Sequence, residues 1–381
     1  MADTIQDAKA PPSELSSKDE ERVSVASNWK LVWWRFRKNR LAVASGIVLL
    51  MFYAVVLVPD FFSNQDPEAT EAFLAFIPVQ RISFFDQTGF GPSVPDVVGK
   101  RNPVTLKMEW VADEAVRIPI ALFVRGYKYK VLGLFETDIH LIDAKDPRSK
   151  GRPHFLGTDR LGRDQWSRMM FGTRTSMTVG LVSVVLSMIL GVVLGGISGY
   201  CGGWVDMVIQ RVIELLQSLP TIPIWLMMTA ALPQDWRPEA VFLAITIILA
   251  FIGWTTLARE IRGRFLSLRE EDFILAAELA GCSHLRIIMR HMVPAFTSHI
   301  IAASTLAIPV MIISETSLSF LGLGIRPPAI SWGVLLQEAQ NIQTVALAPW
   351  LMFPGLVVIV AVLAYNLVGD GLRDAADPYG H

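Results

Sequence analysis

Charged side chains are missing from six long stretches of the chain, and each stretch holds between 19 and 31 residues. The stretches lie between Arg40 and Asp60, Arg174 and Asp206, Glu214 and Asp235, Glu239 and Arg259, Arg290 and Glu315, and Glu338 and Asp370. An α-helix rises about 1.5 Å per residue, so about 20 apolar residues cross the roughly 30 Å hydrocarbon core of a bilayer. The pattern therefore predicts six transmembrane helices. Buried helices of a large soluble core could account for one such stretch, but six favour a membrane protein.

The two stretches of 31 residues are longer than one membrane span requires. The earlier one contains the glycine-rich segment Gly195–Gly203, which predicts a tight turn after the second span. The later one opens with a mixture of polar and apolar residues over 339–347, so its helix is expected to start near Pro349.

The composition of the chain also indicates a membrane protein. Hydrophobic residues make up 52% of it and charged residues only 18%, whereas soluble proteins average about 25% charged residues. The net charge of −1 excludes an overall basic field that would attract nucleic acid. Cys201 and Cys282 lie far apart and fit neither a disulfide framework nor a metal site. We expect an all-α membrane protein with an α+β insertion between its first two spans.

Lysine and arginine side chains predict the orientation. Five of them precede the first span, and six arginines lie in the loop from Arg259 to Arg290. Short loops rich in these residues stay in the cytoplasm, whereas long translocated segments largely escape this rule. The predicted parts are a disordered cytoplasmic tail over 1–28, an amphipathic helix and first span over 29–58, a periplasmic insertion over 59–153, a transmembrane domain over 154–370 with a cytoplasmic loop over 259–291, and a cytoplasmic tail over 371–381.

The residues before the first span have helical periodicity. Trp29, Val32, Trp33 and Phe36 recur at intervals of three and four, with basic residues between them. This spacing predicts an amphipathic helix lying at the inner membrane interface with its aromatic side towards the lipid. A cytoplasmic start of the first span is the alternative.

The insertion over 59–153 carries two strand-like segments, 118–124 and 127–132, which we expect to be joined near Gly126. His140 and His154 stand alone in the sequence, without the spacing of metal ligands or catalytic groups. We therefore expect them to be structural or surface residues, and we predict no metal site and no cofactor.

The loop from Arg259 to Arg290 holds a predicted helix–glycine–helix elbow. Asp272 is placed to cap one short helix, Gly281 to end it in the left-handed conformation, and Ser283 to cap the next. Ala276, Ala277 and Ala280 give the first helix a narrow face that a groove in another protein could accept. An ordinary charged loop is the alternative interpretation.

The elbow resembles a cytoplasmic motif of the binding-protein-dependent ABC importer permeases, which reads Glu-Ala-Ala, three residues, Gly, nine residues, Ile-x-Leu-Pro. Ala276, Ala277, Gly281 and Pro294 have the same spacing, whereas Leu275, His291 and Val293 depart from the motif. Four further stretches resemble the second, C-type permease subunit of the oligopeptide and dipeptide importers. They are 156–164, 199–206, 315–333 and 369–378.

This resemblance implies a bacterial inner-membrane transport subunit that works with a second permease subunit, two ATPase subunits and a periplasmic solute-binding protein. It implies ATPase coupling through Asp272, Ala276, Ala277, Gly281, Ser283, His291 and Pro294. We interpret the segment from Glu315 to Gln343 as a re-entrant periplasmic scoop, or alternatively as a packed connector. Its candidate gate residues are Glu315, Phe320, Gly322, Gly324 and Trp332. The expected cargo is a peptide, with oligosaccharides, opines or nickel as alternatives.

Two rival classes are less consistent with the sequence. Ion-coupled transporters place ionisable side chains at mid-membrane, whereas only His299 lies well inside a charge-free stretch here. A membrane-embedded protease would need a motif such as His-Glu-x-x-His, which is missing. No Gly-x-x-x-x-Gly-Lys-Ser/Thr loop occurs either, so ATP hydrolysis is expected in separate subunits and this chain is not predicted to be an enzyme.

Overall fold

The computed structural model describes residues 28–86, 89–101, 103, 108–146 and 151–376. The tail predicted over 1–28 lies outside these residues except for Asn28, where the first helix begins. Residues 377–381 of the predicted C-terminal tail also lie outside them. Residues 371–376, which belong to the predicted C-terminal tail, continue the last helix.

Helices make up most of the described chain. Three α-helices precede a sheet, namely α1 (Asn28–Lys38), α2 (Arg40–Leu57) and α3 (Pro59–Phe62), and a 3-10 turn, Ala72–Leu74, follows them. The others are α4 (Gln165–Cys201), α5 (Gly203–Ser218), α6 (Thr221–Ala230), α7 (Pro238–Leu268), α8 (Asp272–Leu279), α9 (His284–Ile287), α10 (Val293–Phe320), α11 (Trp332–Glu338), α12 (Ile342–Leu347) and α13 (Phe353–Ala376). A π-helical turn, Ile288–Met292, joins α9 to α10, and a 3-10 turn, Pro349–Met352, leads into α13.

Five of the six predicted spans are long apolar helices. They are α2, α4, α7, the run His284–Phe320 that ends with α10, and the run Pro349–Ala376 that ends with α13. The remaining stretch is not one straight helix, because α5 and α6 meet at an angle of 87°. Leu219 between them has extended dihedral angles, as expected for a residue that precedes a proline. Pro220 therefore breaks the helix that hydrophobicity alone predicted.

The glycine-rich end of α4 is helical as far as Cys201, so the turn predicted over Gly195–Gly203 is confined to Gly202 and Gly203. The earlier glycines serve helix packing. A Cβ atom on Gly195 would lie 2.5 Å from the carbonyl oxygen of Ala258 in α7, and one on Gly199 would lie 2.8 Å from that of Arg262. Glycine therefore lets α4 and α7 approach each other closely.

The insertion forms an antiparallel four-stranded sheet in the order β1 (Ser83–Asp86), β2 (Gly89–Arg101), β3 (Met108–Val131) and β4 (Phe135–Ala144). The two predicted strands joined near Gly126 are a single strand, β3, and the turn lies at Leu132 and Gly133. Gly126 has another role. A Cβ atom there would lie 2.6 Å from the ring of His140, so glycine makes room for the imidazole.

Helix α1 packs against the end of the chain. Phe36 is buried against Ala42 in α2 and Ala375 in α13, with Val32 beside it. Trp33 is 56% exposed. Of the apolar face predicted to point towards lipid, Phe36 packs against protein and Trp33 stays exposed.

The main hydrophobic core lies between α2, α4, α6, α7, α10, α11 and α13. The segment predicted as a scoop contributes to it. Glu315 and Phe320 belong to the last turns of α10, the chain reverses at Gly322, and Trp332 is fully buried at the start of α11. Within the segment 315–343 interpreted as a scoop, residues 315–320 continue α10, and the Ser176 and Ser319 hydroxyls donate to the Glu315 carboxylate inside the helix bundle.

Candidate functional site

The elbow consists of α8, a turn and α9. Gly281 has a φ of 75°, its N–H donates to the carbonyl of Glu278 at 2.9 Å, and the N–H of Cys282 donates to that of Ala277 at 3.1 Å. This pair of bonds is the Schellman motif, which satisfies carbonyls at a helix end and favours glycine at the left-handed position. The conformation expected for Gly281 is confirmed.

The predicted helix caps of the elbow differ from the structure. Glu271, not Asp272, occupies the N-cap position of α8, and Asp272 is the first helical residue. Ser283 is the N-cap of α9, but its side chain makes no capping hydrogen bond there.

The inner side of the elbow packs on the ends of two spans. Ile274 and Ala277 are buried against Tyr200 of α4 and Ile261 and Phe265 of α7. The Tyr200 hydroxyl donates to the Glu278 carboxylate at 2.7 Å. Helix α8 is therefore packed directly against the ends of α4 and α7.

The outer side of the elbow is apolar and exposed. Leu279 is 90% exposed and Leu285 is 68% exposed, with Phe273, Leu275 and Met289 also accessible. Ala276 and Ala280 lie on this side, but Ala277 faces the core. The three alanines therefore do not share one docking face, because helical rotation turns Ala277 inwards. His291 is half-buried in the π-helical turn, and Pro294 is exposed in the first turn of α10.

A groove of about 900 Å³ runs along α10. The α10 residues that line it recur every three or four positions, as one face of a helix does. They include His299, Ala303, Leu306, Val310, Ile313, Ser314 and Ser317, and the lining continues to Leu321. From His299 to Leu321 the helix rises about 33 Å, which equals the thickness of a hydrocarbon core.

The two ends of the groove differ in charge. The ionisable side chains in its lining are Glu260, His299 and Arg373, and all three belong to the elbow ends of their helices. His299 Nε2 lies 3.2 Å from a Glu260 carboxylate oxygen, and its ring stacks on Phe296 at 4.4 Å. The rest of the lining is apolar or carries small hydroxyl and amide groups.

At the opposite end of the bundle, a buried ionic network joins α4 to α11. Arg163 donates to Asp159 and to Glu338, at 2.7 Å in each case. Arg168 donates to the same Asp159 oxygen and also to Glu338, at 3.2 Å. Burial raises the pKa of Glu338 and outweighs the opposing effect of Arg168. Two basic and two acidic side chains therefore share one buried network.

Comparisons with known proteins identify the family. A profile described as binding-protein-dependent transport system inner membrane component matches residues 191–379, and one described as N-terminal TM domain of oligopeptide transport permease C matches residues 27–77. The oligopeptide transport system permease protein OppC of Salmonella typhimurium is 39% identical over 270 residues, which cover 70% of this chain and 86% of that protein. This chain belongs to the permeases of binding-protein-dependent transport systems.

Other relatives of this permease are also peptide permeases by name. The dipeptide transport system permease protein DppC of Alkalihalophilus pseudofirmus is 38% identical over 226 residues, which cover 59% of this chain and 72% of that protein. A putative peptide permease protein of Brucella suis is 38% identical over 227 residues, covering 59% and 73%. The chain is a multi-pass inner-membrane subunit of an ABC importer, and the resemblance inferred from its motifs is confirmed. Neither profile covers 78–190, where the sheet lies.

Sequence reasoning missed several residues of this permease that the structure brings together. The network of Asp159, Arg163, Arg168 and Glu338 joins positions 170 residues apart, and the contact between Tyr200 and Glu278 is also long-range. One signal was available, since Asp159 and Arg163 are spaced like an ion pair within a short segment. Nothing in the sequence indicated Glu338 as their partner.

Proposed function

We propose that this permease forms one half of the translocation pathway of an ATP-driven importer for peptides or solutes of similar size. The groove along α10 carries the proposal, because its lining follows this helix from His299 to Leu321, about the length of a membrane span, and includes Glu260 of α7. The names of the relatives support peptide cargo. One chain supplies one wall, so the proposal requires a second permease subunit, two ATPase subunits and a periplasmic solute-binding protein.

The orientation that we propose places both termini and the elbow in the cytoplasm and the sheet in the periplasm. The six arginines between Arg259 and Arg290 support it. Membrane lipid would cover exposed apolar side chains of the spans, such as Leu50, which is 70% exposed.

In the proposed coupling step, an ATPase subunit accepts the exposed apolar side of the elbow. The residues assigned to this step are Asp272, Ala276, Ala277, Gly281, Ser283, His291 and Pro294. Ala277 acts from the inner side, because it fastens α8 to α7. Closure of the ATPase dimer would push the elbow and rock α4, α7 and α10 as rigid bodies between inward-open and outward-open states.

The proposed periplasmic gate lies where α10 turns towards α11. Glu315, Phe320, Gly322, Gly324 and Trp332 are assigned to it. A second Schellman motif supports a defined turn there, since Leu323 N–H donates to Leu318 and Gly322 N–H donates to Ser319. A Cβ atom on Gly324 would lie 2.5 Å from Ser319, so the turn packs tightly on α10.

Reconstitution of the whole assembly in proteoliposomes tests the proposed function. Uptake of a labelled oligopeptide should require ATP, the ATPase subunits and the binding protein. Uptake driven by an ion gradient without ATPase subunits would refute the proposal.

A pair of tryptophan variants tests the role of the groove. Ser317→Trp places a large ring in the groove and should reduce uptake by about tenfold or more, which corresponds to roughly 1.4 kcal/mol. The control Ile359→Trp changes a side chain of α13 that is 56% exposed and outside the groove lining, and should have little effect. Equal uptake by the two variants would remove the groove from the pathway.

A further inference from the structure

His140 lies at the junction between the sheet and the segment that follows α2. It sits in β4, its side chain is fully buried, and it faces α3 on one side and Gly126 of β3 on the other. The short helix α3 comes directly after the first span. His140 is therefore in a position to fasten the insertion to the membrane domain.

Both ring nitrogens of His140 face backbone carbonyl groups. Nδ1 lies 2.7 Å from the carbonyl oxygen of Ser63 and 2.9 Å from that of Asp60. Nε2 lies 2.9 Å from the carbonyl oxygen of Tyr127 in β3. A carbonyl oxygen only accepts hydrogen bonds, so each nitrogen must donate. A neutral imidazole has one N–H and an imidazolium has two.

We propose that His140 is held as an imidazolium and acts as a pH-sensitive latch between the sheet and the end of the first span. The arrangement satisfies the imidazolium completely, whereas a neutral ring would point a nitrogen lone pair at a carbonyl lone pair. A neutral ring has one N–H and cannot donate to the carbonyl groups on both sides, so the latch weakens when the ring loses a proton.

The surroundings of His140 favour a positive charge. The titratable and charged groups that act on this junction are Asp60, Asp66, Tyr127, Tyr129, Asp138, Asp143, Arg152, Asp164 and Arg174. The carboxylates favour the imidazolium when they are ionised, and Arg152 and Arg174 oppose it. The rings of Tyr127 and Tyr129 lie 4.4 and 5.1 Å from the imidazole ring, centroid to centroid, and add aromatic faces that attract a cation.

Loss of the proton should loosen the junction without detaching the sheet. Other contacts between the sheet and α3 remain, since the Tyr127 hydroxyl donates to the Asp60 carboxylate at 3.4 Å and Phe61 packs on Phe123. The expected change is therefore local opening of α3 and the middle of β4. The latch does not depend on which solute the importer carries.

Nitrogen-15 NMR of histidine-labelled full-length protein in lipid nanodiscs tests the charge directly. The His140 signals are assigned from the spectrum of His140→Gln. At pH 6 both ring nitrogens should carry protons, and by pH 8 one should have lost its proton. A neutral ring at pH 6 would overturn the imidazolium, and a ring still charged at pH 8 would overturn the pH sensitivity.

Hydrogen exchange tests the latch without removing the histidine. After correction for intrinsic rates, amides of 60–63 and 137–142 should exchange about tenfold faster at pH 8 than at pH 6, as expected for one lost charged hydrogen bond. Gly126→Ala pushes a methyl group into the imidazole and should make exchange fast at both pH values. Gly91→Ala in β2 is the matched control, because a Cβ atom there meets open space. Equal protection of the wild type at both pH values would refute the latch.

Discussion

Single buried carboxylates in this protein have environments that sequence position does not reveal. Asp143 lies at the end of β4, and burial raises its pKa to about 6. Its oxygen accepts the N–H of Ala144 at 2.7 Å, but this bond and the nearby charges only partly offset the loss of solvation. The charged form therefore costs folding free energy at neutral pH.

Asp143→Asn should stabilise the protein above pH 6. A group with a raised acid pKa is destabilising once it ionises, so the gain should be on the order of 2 kcal/mol at pH 7.5. It should disappear as the pH falls from 6 towards 4, where Asp143 is protonated. Thermal unfolding in detergent at several pH values measures this. Glu136→Gln, at an exposed position on the same strand, is the control. A gain that is independent of pH would contradict the assignment.

The ionic network of Arg168 gives a second prediction at the residue scale. Arg168→Met leaves the Asp159 and Glu338 carboxylates with Arg163 as their one remaining cation in this network, and Asp159 is fully buried. Breaking such a pair costs about 3–5 kcal/mol. We expect a large drop in the unfolding temperature.

Two further variants control for general effects of the Arg168 substitution. Arg211→Met removes an arginine whose side chain is 78% exposed, and should change stability by less than about 1 kcal/mol. Adding Glu338→Gln to Arg168→Met removes one uncompensated carboxylate and should restore part of the loss. No recovery would show that the cost comes from packing.

At the scale of elements, glycine positions decide how the spans meet. Gly195 in α4 has the backbone of Ala258 against it, whereas Gly46 in α2 has open space around it. The sequence marks both as helix-weakening residues. The packing shows that only Gly195 is required, because a side chain there would collide with the backbone of α7.

Gly195→Ala should therefore separate α4 from α7. The added methyl group would lie 2.5 Å from a backbone oxygen, and such overpacking costs about 1–3 kcal/mol. Gly46→Ala should be neutral or slightly stabilising, since alanine is the better helix former. Unfolding temperatures of the two variants measure the difference. Similar values for both would show that the contact between α4 and α7 is not tight.

At the scale of the whole molecule, the elbow packs on α4 and α7, and its turn depends on the left-handed backbone of Gly281. Gly281 has open space around it, so a side chain there meets no steric barrier except the left-handed backbone. Valine is strained in this conformation, whereas asparagine tolerates it. The two substitutions therefore separate conformation from side-chain size.

Gly281→Val should uncouple ATP hydrolysis from transport. In the reconstituted assembly, ATP hydrolysis should continue while uptake falls by about tenfold, for about 1.4 kcal/mol of lost coupling. Gly281→Asn should retain most of the uptake. Normal transport by Gly281→Val would refute the role of the elbow in coupling, and equal losses in both variants would refute the conformational explanation.

The membrane spans and the elbow could be predicted from the sequence, because exclusion of charge and the left-handed preference of glycine are properties of short segments. Five of the spans and the turn at Gly281 are found where those rules place them. Local patterns also mislead. Glycine at Gly126 indicated a turn, but the tertiary structure uses it to admit a buried ring.

Tertiary structure alone decided which distant groups share an environment. The bend between α5 and α6, the inward rotation of Ala277, the pairing of Arg168 with Glu338 and the three carbonyls around His140 all depend on contacts between segments far apart in the chain. Hydrophobicity determines that a segment is buried in the membrane. It does not determine its partner, because many pairings bury the same area and only packing and hydrogen-bond geometry distinguish them.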